Sequence, residues 1–367
     1  MEKGKISSLQ MSFMMYPTIV GTAIINVPAI TGLFAKNDLW LSPIWASFTG
    51  FLAVYAAIQL HKIYPKQTII QYSEEAIGRI SGKILGFMYV IFFALMNGHG
   101  IRIYAEFIVG AFLPKTPISV VLASMILICA FTVYSGIETI GRLGQLFFPV
   151  FFLPLMIAIL LLLPELHPQN IFPIMENGIM PSIKGAFAPQ AWFGEFLLIS
   201  FLLPFLTDIE KGRKWGIISV FFVMLTLVLV NLLVLFLLGA NLASYSYPLL
   251  KASRYVSIAD FLENLESAVM AIWVLGNFVK FSVTYYCLVL GTAQWLNLSD
   301  YKPVVFPLGL WTMIISFWGI PSQMESTEYS TLKGFPYLSL VFQTLIPLSL
   351  LIIAVIRKGK KKKEQNG

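Results

Sequence analysis

Glu195 is the residue whose position most clearly suggests chemistry, because it lies inside an otherwise apolar stretch. It follows the segment 189–194, Pro-Gln-Ala-Trp-Phe-Gly, and precedes a largely apolar run. A carboxylate in such surroundings is costly unless it faces a cavity or a partner. Glu195 could bind a ligand ammonium, a cation or a proton, or it could form a structural pair with Lys280 or Arg102.

Lys280 and the pair Arg102 and Glu106 are the other charged residues within apolar stretches. A lone lysine there needs a partner or water. Lys280 could replace the sodium ion of ion-coupled carriers with a fixed positive charge, or it could balance Glu195. Arg102 and Glu106 are four residues apart and share a helix face, which favours a pair between them.

A second unusual stretch lies near the N-terminus, where Gly21, Thr22 and Ala23 are followed by Asn26 and Pro28. Glycine lets a ligand approach the backbone, and free N–H groups at the start of a half-helix favour a carboxylate. The alternative interpretation is a face of small residues that packs against another helix. Because Asn26 and Pro28 follow at once, the sequence favours a ligand site.

The two interrupted stretches occupy the starts of the two halves of the chain. Interrupted hydrophobic spans in corresponding halves indicate a solute site near the middle of a bilayer. We therefore expect a small solute to bind between them. The residues predicted to contact it are Gly21, Thr22, Ala23, Asn26, Tyr104, Ala191, Trp192, Phe193, Gly194 and Glu195.

The composition predicts that membrane-spanning helices position these residues. Of 367 residues, 57% are hydrophobic and 12% are charged, and the mean hydropathy is +0.79. A soluble domain would have about 25% charged residues. The sequence predicts an all-α integral membrane protein with ten transmembrane helices, of which the first and sixth are broken. Only this pattern of broken helices suggests a repeat of the two halves. The ten predicted spans are 9–34, 40–60, 83–112, 117–135, 144–163, 185–206, 214–240, 267–297, 303–319 and 334–356.

One polytopic domain is expected over residues 1–357, with halves at about 9–163 and 185–356, followed by a basic cytoplasmic tail at 358–367. Most of the 25 Lys and Arg residues fall on the side that both termini share, so both termini are expected in the cytoplasm. The loops 164–184 and 241–266 are then external. The segment 65–79 has isoleucines at helical spacing and predicts a short helix on the cytoplasmic surface.

The remaining sequence features argue against several functions. There is no phosphate-binding loop, metal-ligand cluster or nucleophile motif, so we expect no enzyme activity, cofactor or metal. The net charge of +7 comes largely from the basic tail, which is typical of contact with anionic membrane lipid and does not indicate nucleic-acid binding. Cys129 and Cys287 lie in apolar spans and are expected to be core residues without a disulfide.

Five stretches together resemble a known family. They are Gly21-Thr22 with Pro28; 102–106 with 112–117; Gly136-Ile137-Glu138 with Arg142; Tyr247-Pro248; and the segment 261–266. In order, number of spans and length, the chain resembles the B subunits of nutrient germinant receptors of endospore-forming bacteria, the spore germination permease family. That family is similar to amino acid–polyamine–organocation transporters, and this resemblance implies a five-plus-five inverted repeat with broken first and sixth helices. Many members have a glycine pair at the first interruption, whereas Ala23 here narrows the approach to the backbone.

The resemblance implies a receptor of three subunits in the spore inner membrane. The partners would be a larger A subunit and a lipoprotein C subunit. The B subunit would bind an amino acid, sugar or nucleoside germinant, and binding would lead to ion release. Two other functions remain open from the residues: a proton- or sodium-coupled amino-acid symporter, and a channel-like structural subunit with no ligand of its own. Uptake by the chain alone would favour the symporter.

Overall fold

The protein is a helical bundle. A computed structural model describes residues 2–253, 265–318 and 334–365, and in these residues the only β-structure is an isolated bridge. The helices are α1 Ser8–Ala35, α2 Ser42–Ile63, α3 Ile69–Ile77, α4 Arg79–Ala111, α5 Ile118–Ser135, α6 Ile137–Leu162, α7 Met180–Gly185, α8 Gln190–Gly194, α9 Ile199–Leu202, α10 Ile209–Leu238, α11 Pro248–Ser253, α12 Leu265–Trp295, α13 Lys302–Trp318, α14 Phe335–Ser339 and α15 Ile346–Gln365. Short 3₁₀ segments are Lys36–Leu41, Leu163–Glu165, Pro168–Ile171, Glu195–Leu198, Leu203–Phe205 and Gly239–Ser244, and Leu340–Leu345 is a π-helix. The all-α prediction is confirmed, and most of the predicted 261–266 stretch lies outside the described residues.

Each of the ten predicted spans coincides with a helical segment of the structure. Among the described residues, seven segments have the length and hydropathy of membrane-crossing helices, and the first of them contains both α1 and α2. They are Ser8–Ile63, Arg79–Ala111, Ile118–Ser135, Ile137–Glu165, Ile209–Leu238, Trp273–Trp295 and Phe335–Lys358. Gln190–Phe205 and Lys302–Trp318 are shorter apolar segments. The number of ten crossings and the inverted repeat remain predictions.

The predicted break in the first helix is wrong, because α1 is continuous from Ser8 to Ala35. Neighbouring side chains bond its carbonyl groups where the break was expected. The Asn26 side chain donates to the Thr22 carbonyl at 2.9 Å, and Asn277 of α12 donates to the Gly21 carbonyl at 3.1 Å. Membrane helices tolerate glycine and proline when neighbours bond the backbone in this way. Backbone N–H groups within α1 are therefore not free to hold a carboxylate.

The predicted interruption of the sixth span is confirmed. Pro189 caps α8, which ends after one turn, and the chain tightens into a 3₁₀ segment from Glu195 to Leu198 before α9 begins. A 3₁₀ stretch within a helix often marks a hinge or a strained sequence. This change of geometry places Glu195 at the junction of two helical forms, near the middle of the span.

Helices α1 and α12 form the centre of the bundle. Helix α1 packs against α6, α10 and α12, while α12 also packs against α4 and α5. In the segment Trp273–Trp295, which forms most of α12, 83% of the most apolar stretch is buried. In the segment that contains α6 only 11% is buried, so α6 lies at the periphery. The residues that could bind a solute therefore lie on the most enclosed helices.

Two tight turns depend on glycine. Gly78 separates α3 from α4 at φ 94°, and Gly136 separates α5 from α6 at φ 100°. Residues other than glycine rarely adopt such positive backbone φ angles. The predicted short helix before α4 is confirmed as α3, and its apolar residues Ile69, Ile70 and Ala76 are buried against the bundle.

The N-terminal residues 2–8 form hydrogen bonds with residues at the starts of several helices. The Glu2 carboxylate accepts hydrogen bonds from the Ile137 amide, at the start of α6, and from the Tyr301 hydroxyl, just before α13. The Ser8 amide and hydroxyl both donate to Asp208, just before α10. These hydrogen bonds hold the starts of α6, α10 and α13 together at this end of the bundle.

Candidate functional site

A buried ion pair joins the sixth and eighth spans. Lys280 Nζ lies 2.9 Å from Glu195 Oε1 and 2.7 Å from Glu195 Oε2. The side chains of Lys280 and Glu195 are only 5% and 4% exposed. Among the two partners that the sequence offered for Glu195, the structure therefore selects Lys280. Burying two charges costs free energy, which their mutual attraction offsets only in good geometry.

A hydrogen bond joins the first and sixth spans beside the ion pair. Trp192 Nε1 donates to Thr22 Oγ1 at 2.9 Å, and both residues are buried. The Trp192 side chain therefore lies against α1 rather than in the lipid. Two side chains that the sequence assigned to the same site, one from each interrupted stretch, are in direct contact.

These four residues line one small central cavity. Thr22, Trp192, Glu195 and Lys280 contribute to its wall together with Ala191. Its volume is about 30 Å³, and one water molecule needs roughly 10–15 Å³ on this measure. The cavity has room for about two water molecules, so it must enlarge to hold a solute of amino-acid size.

Helix α12 positions Lys280 through bonds made one turn before and one turn after it. Asn277 donates to the carbonyl groups of Gly21 and Trp273, which fixes α12 against α1. Thr284 donates to Asn97 Oδ1 of α4 at 2.8 Å. These bonds hold the lysine between α1 and α4, where its ammonium reaches Glu195.

Several predicted contact residues lie outside the cavity wall. Gly21 packs against the backbone of Gly276, where an added Cβ would be 3.4 Å from the carbonyl carbon. This is the small-residue packing that was the alternative interpretation of this position. Ala23 is fully buried in the core, and Asn26 bonds within its own helix.

In the sixth span, Phe193 and Gly194 also face away from the cavity. Phe193 lies close to Gly50 of α2, and Gly194 faces the side chain of Gln343, which would be 2.3 Å from an added Cβ. Tyr104 stacks on Trp273 with ring centroids 5.4 Å apart. These residues support the walls of the site rather than lining it in this conformation.

Arg102 and Glu106 form the pair that their spacing favours. Arg102 Nε donates to Glu106 Oε1 at 2.7 Å, and the two side chains are 12% and 11% exposed. Arg102 is therefore not the partner of Glu195. Arg102 Nη1 also donates to the Ser316 carbonyl of α13, which connects α4 to the ninth span.

The remaining wall residues were not among the predicted contacts. They are Met96, His99, Gly100, Ile103 and Phe335. His99 lies among polar residues in the middle of the third span, Asn97 to Gly100, and that pattern is the one signal that could have identified it. Met96 and Ile103 gave no such signal, because an apolar residue in a membrane helix has the same appearance whether it faces lipid, protein or a cavity.

The arrangement can recognise a solute by charge and shape. Glu195 offers a carboxylate to a cationic group, Lys280 offers an ammonium to an anionic group, and Trp192 offers an apolar face. In the residues that the structure describes, no group of three or more His, Cys, Asp or Glu side chains could hold a metal ion. Cys129 and Cys287 are buried free thiols, as expected from the sequence.

Long apolar helices around a buried polar site define an integral membrane protein. The family model described as "Spore germination protein" matches residues 5–324 of the chain. The protein therefore belongs to the spore germination protein family, and the resemblance seen in the sequence is confirmed.

Individual relatives match over nearly the whole chain. Spore germination protein KB of Bacillus subtilis is 27% identical over 371 aligned residues, covering 100% of this chain and 98% of the relative. The putative spore germination protein YfkT of the same organism is 25% identical and covers 87% of each chain. Spore germination protein XB of Bacillus anthracis is 22% identical, covering 94% of this chain and 97% of the relative.

Proposed function

We propose that this protein is the membrane subunit of a spore nutrient germinant receptor and that it binds a small solute in the central cavity. The observation behind the proposal is the buried Glu195–Lys280 pair, which borders a cavity between the first, third, sixth and eighth spans of a germination-family protein. A non-enzymatic binding function accounts for these residues. The germinant is an amino acid, a sugar or a nucleoside.

The ion pair provides a mechanism for detecting the solute. An amino-acid ligand could present its ammonium to Glu195 and its carboxylate to Lys280, replacing the bond between the two side chains by two bonds to the ligand. A ligand shifts a conformational equilibrium only by its difference in affinity between the states. Entry requires the cavity to enlarge, so binding favours an arrangement of the helices in which the cavity is larger than in this structure.

The signal passes to partner subunits. In this proposal the chain spans the spore inner membrane ten times, with both termini in the cytoplasm, and works with a larger A subunit and a lipoprotein C subunit. The A subunit detects the change between the halves of the bundle, and net transport by this chain is small. Membership of the germination family supports the receptor over a symporter.

Charge substitutions in spores test the proposal. Glu195→Gln leaves Lys280 buried without a partner, which costs about 3–5 kcal/mol, so the variant is expected to accumulate poorly. The double variant Glu195→Gln with Lys280→Met removes both charges and should restore the amount of protein in the membrane. Its germination response to the cognate solute should nevertheless be lost.

The measurements are immunoblots of spore membranes and germination rates across a panel of amino acids, sugars and nucleosides. Spores with Arg142→Gln serve as a control, since Arg142 lies at the exposed start of α6, away from the cavity. A double variant that accumulates and germinates with an unchanged dose response would show that the pair is only structural and would place the solute elsewhere.

A further inference from the structure

A second cavity lies beside the C-terminal half of α1, next to the central cavity. Its volume is about 100 Å³, three times that of the central cavity. The wall includes Ile24 and Ile25 of α1, Phe107 of α4, Leu155 of α6 and Leu233 of α10. Every wall residue except Ser253 is apolar. Apolar cavities remain dry and accept apolar ligands, so neither water nor a polar solute suits this space.

Helices α6 and α10 both contribute to the wall of this cavity. Both helices pack against α1, while α6 otherwise packs chiefly on α5 and α12, and α10 on α2. Each also carries exposed apolar side chains, including Leu153 and Ile157 on α6 and Leu229 on α10. The loop after α6 crosses over to α10, where the Asn170 side chain donates to the Phe236 carbonyl at 3.0 Å. An opening between these two helices would lie on the side of the bundle.

The medium beside that opening is the hydrocarbon of the bilayer. The segments containing α6 and α10 have mean hydropathies of 2.9 and 3.0, the highest of the candidate spans in the described residues. Among the residues that the structure describes, no charged side chain lines the cavity. We propose that the cavity binds an acyl chain of a bilayer phospholipid, which enters between α6 and α10 and lies against Trp273.

The acyl chain would support the central site from one side. Trp273 lies in the cavity wall and contacts Phe107, with ring centroids 4.4 Å apart, and it also stacks on Tyr104. Its carbonyl accepts a bond from Asn277, whose amide also bonds Gly21. A chain packed on Trp273 therefore stabilises the part of α12 that joins α1 beside the ion pair.

Photo-crosslinking tests the proposal directly. The full-length protein is reconstituted in nanodiscs of phosphatidylglycerol and phosphatidylethanolamine that contain a phospholipid with diazirines along one acyl chain. After illumination, labelled residues are identified by mass spectrometry. Label is expected on Ile24, Ile25 or Trp273, which are 3%, 6% and 5% exposed and cannot meet bulk lipid. Leu310 and Trp311, at about 60% exposure, should be labelled as a control for lipid contact.

A cavity-filling variant provides the second arm. Ala158→Phe places a ring in the cavity and should abolish label on the buried residues, while Leu310 and Trp311 remain labelled. Leu155→Phe on the same wall is the second filling variant, and Leu160→Phe, on the exposed face of α6, is the matched control. Label confined to exposed residues in the wild-type protein would overturn the proposal. Labelling by a diazirine fatty acid but not by the phospholipid would also overturn it.

Discussion

At the scale of single residues, the site depends on contacts between helices that the sequence could only partly identify. The cost of an isolated charge in a membrane predicted that Glu195 needs a partner and offered Lys280 as one of two candidates. The structure places them 2.7 Å apart. Position along the chain does not give the rotation of a helix about its axis. For this reason Gly21 and Phe193 were predicted to contact the solute but pack against neighbouring helices.

The Thr22–Trp192 bond gives a prediction at this scale. Thr22→Val keeps the shape of the side chain but removes the acceptor of Trp192 Nε1. A buried donor left without a partner costs about 1–3 kcal/mol. This cost falls on the arrangement with the small cavity, so the half-saturating solute concentration should fall, by up to roughly 5- to 150-fold. The measurement is the germination rate of spores against solute concentration.

Thr22→Ser is the matched control, because it keeps the hydroxyl acceptor and should retain most of the response. Equal dose responses for the Val and Ser variants, at equal protein amounts, would show that the hydrogen bond does not contribute to solute recognition.

At the scale of helices, composition and hydrophobic runs predicted the segments well, while local interruptions were harder to interpret. Both spans contain glycine and proline, yet α1 is continuous and the sixth span changes geometry at Glu195. The difference arises from neighbours: Asn277 of α12 bonds an α1 carbonyl, and sequence position does not indicate which helix supplies such a donor. The cavity residue Phe335 was missed for the same reason, since the tenth span meets the site only after folding.

The contact between α8 and the π-helix gives a prediction about packing. An added Cβ at Gly194 would be 2.3 Å from Gln343 Oε1 and 3.0 Å from Gln343 Cβ. Gly194→Ala should therefore destabilise the protein by about 1–3 kcal/mol, as overpacked cores do. Thermal unfolding of the detergent-purified protein, followed by size-exclusion chromatography, measures the change.

Replacing Gln343 with Ala in the same protein removes the clash and should recover part of the stability. Gly110→Ala is the control, because no atom lies within 4 Å of its added Cβ. A Gly194→Ala protein as stable as the wild type would mean that the two helices separate at no cost.

At the scale of the whole molecule, the distribution of Lys and Arg predicts the orientation. Glu165 and Glu176 lie in the predicted external loop and are exposed, whereas Ser182 in the same loop is fully buried and bonded by Trp45. Cysteine at Glu165 should react with an impermeant maleimide in intact cells, in a background lacking Cys129 and Cys287. Cysteine at Lys66, exposed before α3, should react only after permeabilisation. The opposite pattern would reverse the topology.

The small central cavity and the contacts of residues 2–8 describe one conformation of the helical bundle. The cavity of about 30 Å³ requires helix movement before a solute enters. The bonds of Glu2 and Ser8 connect α6, α13 and α10 at one end, so that opening there would break them. A ligand must favour the second arrangement about 10⁴-fold to move the population from 1:99 to 99:1. In the receptor proposal, contacts with partner subunits supply part of that preference.

Reconstitution of the purified chain in liposomes tests the receptor proposal most directly. Binding of a radiolabelled solute is measured at equilibrium, and uptake is measured in the same liposomes under an imposed proton or sodium gradient. The proposal predicts saturable binding of one cognate solute, lost in the Glu195→Gln, Lys280→Met double variant, without concentrative uptake under either gradient. Gradient-driven accumulation of the solute by the wild-type chain alone would contradict the receptor proposal and identify a symporter.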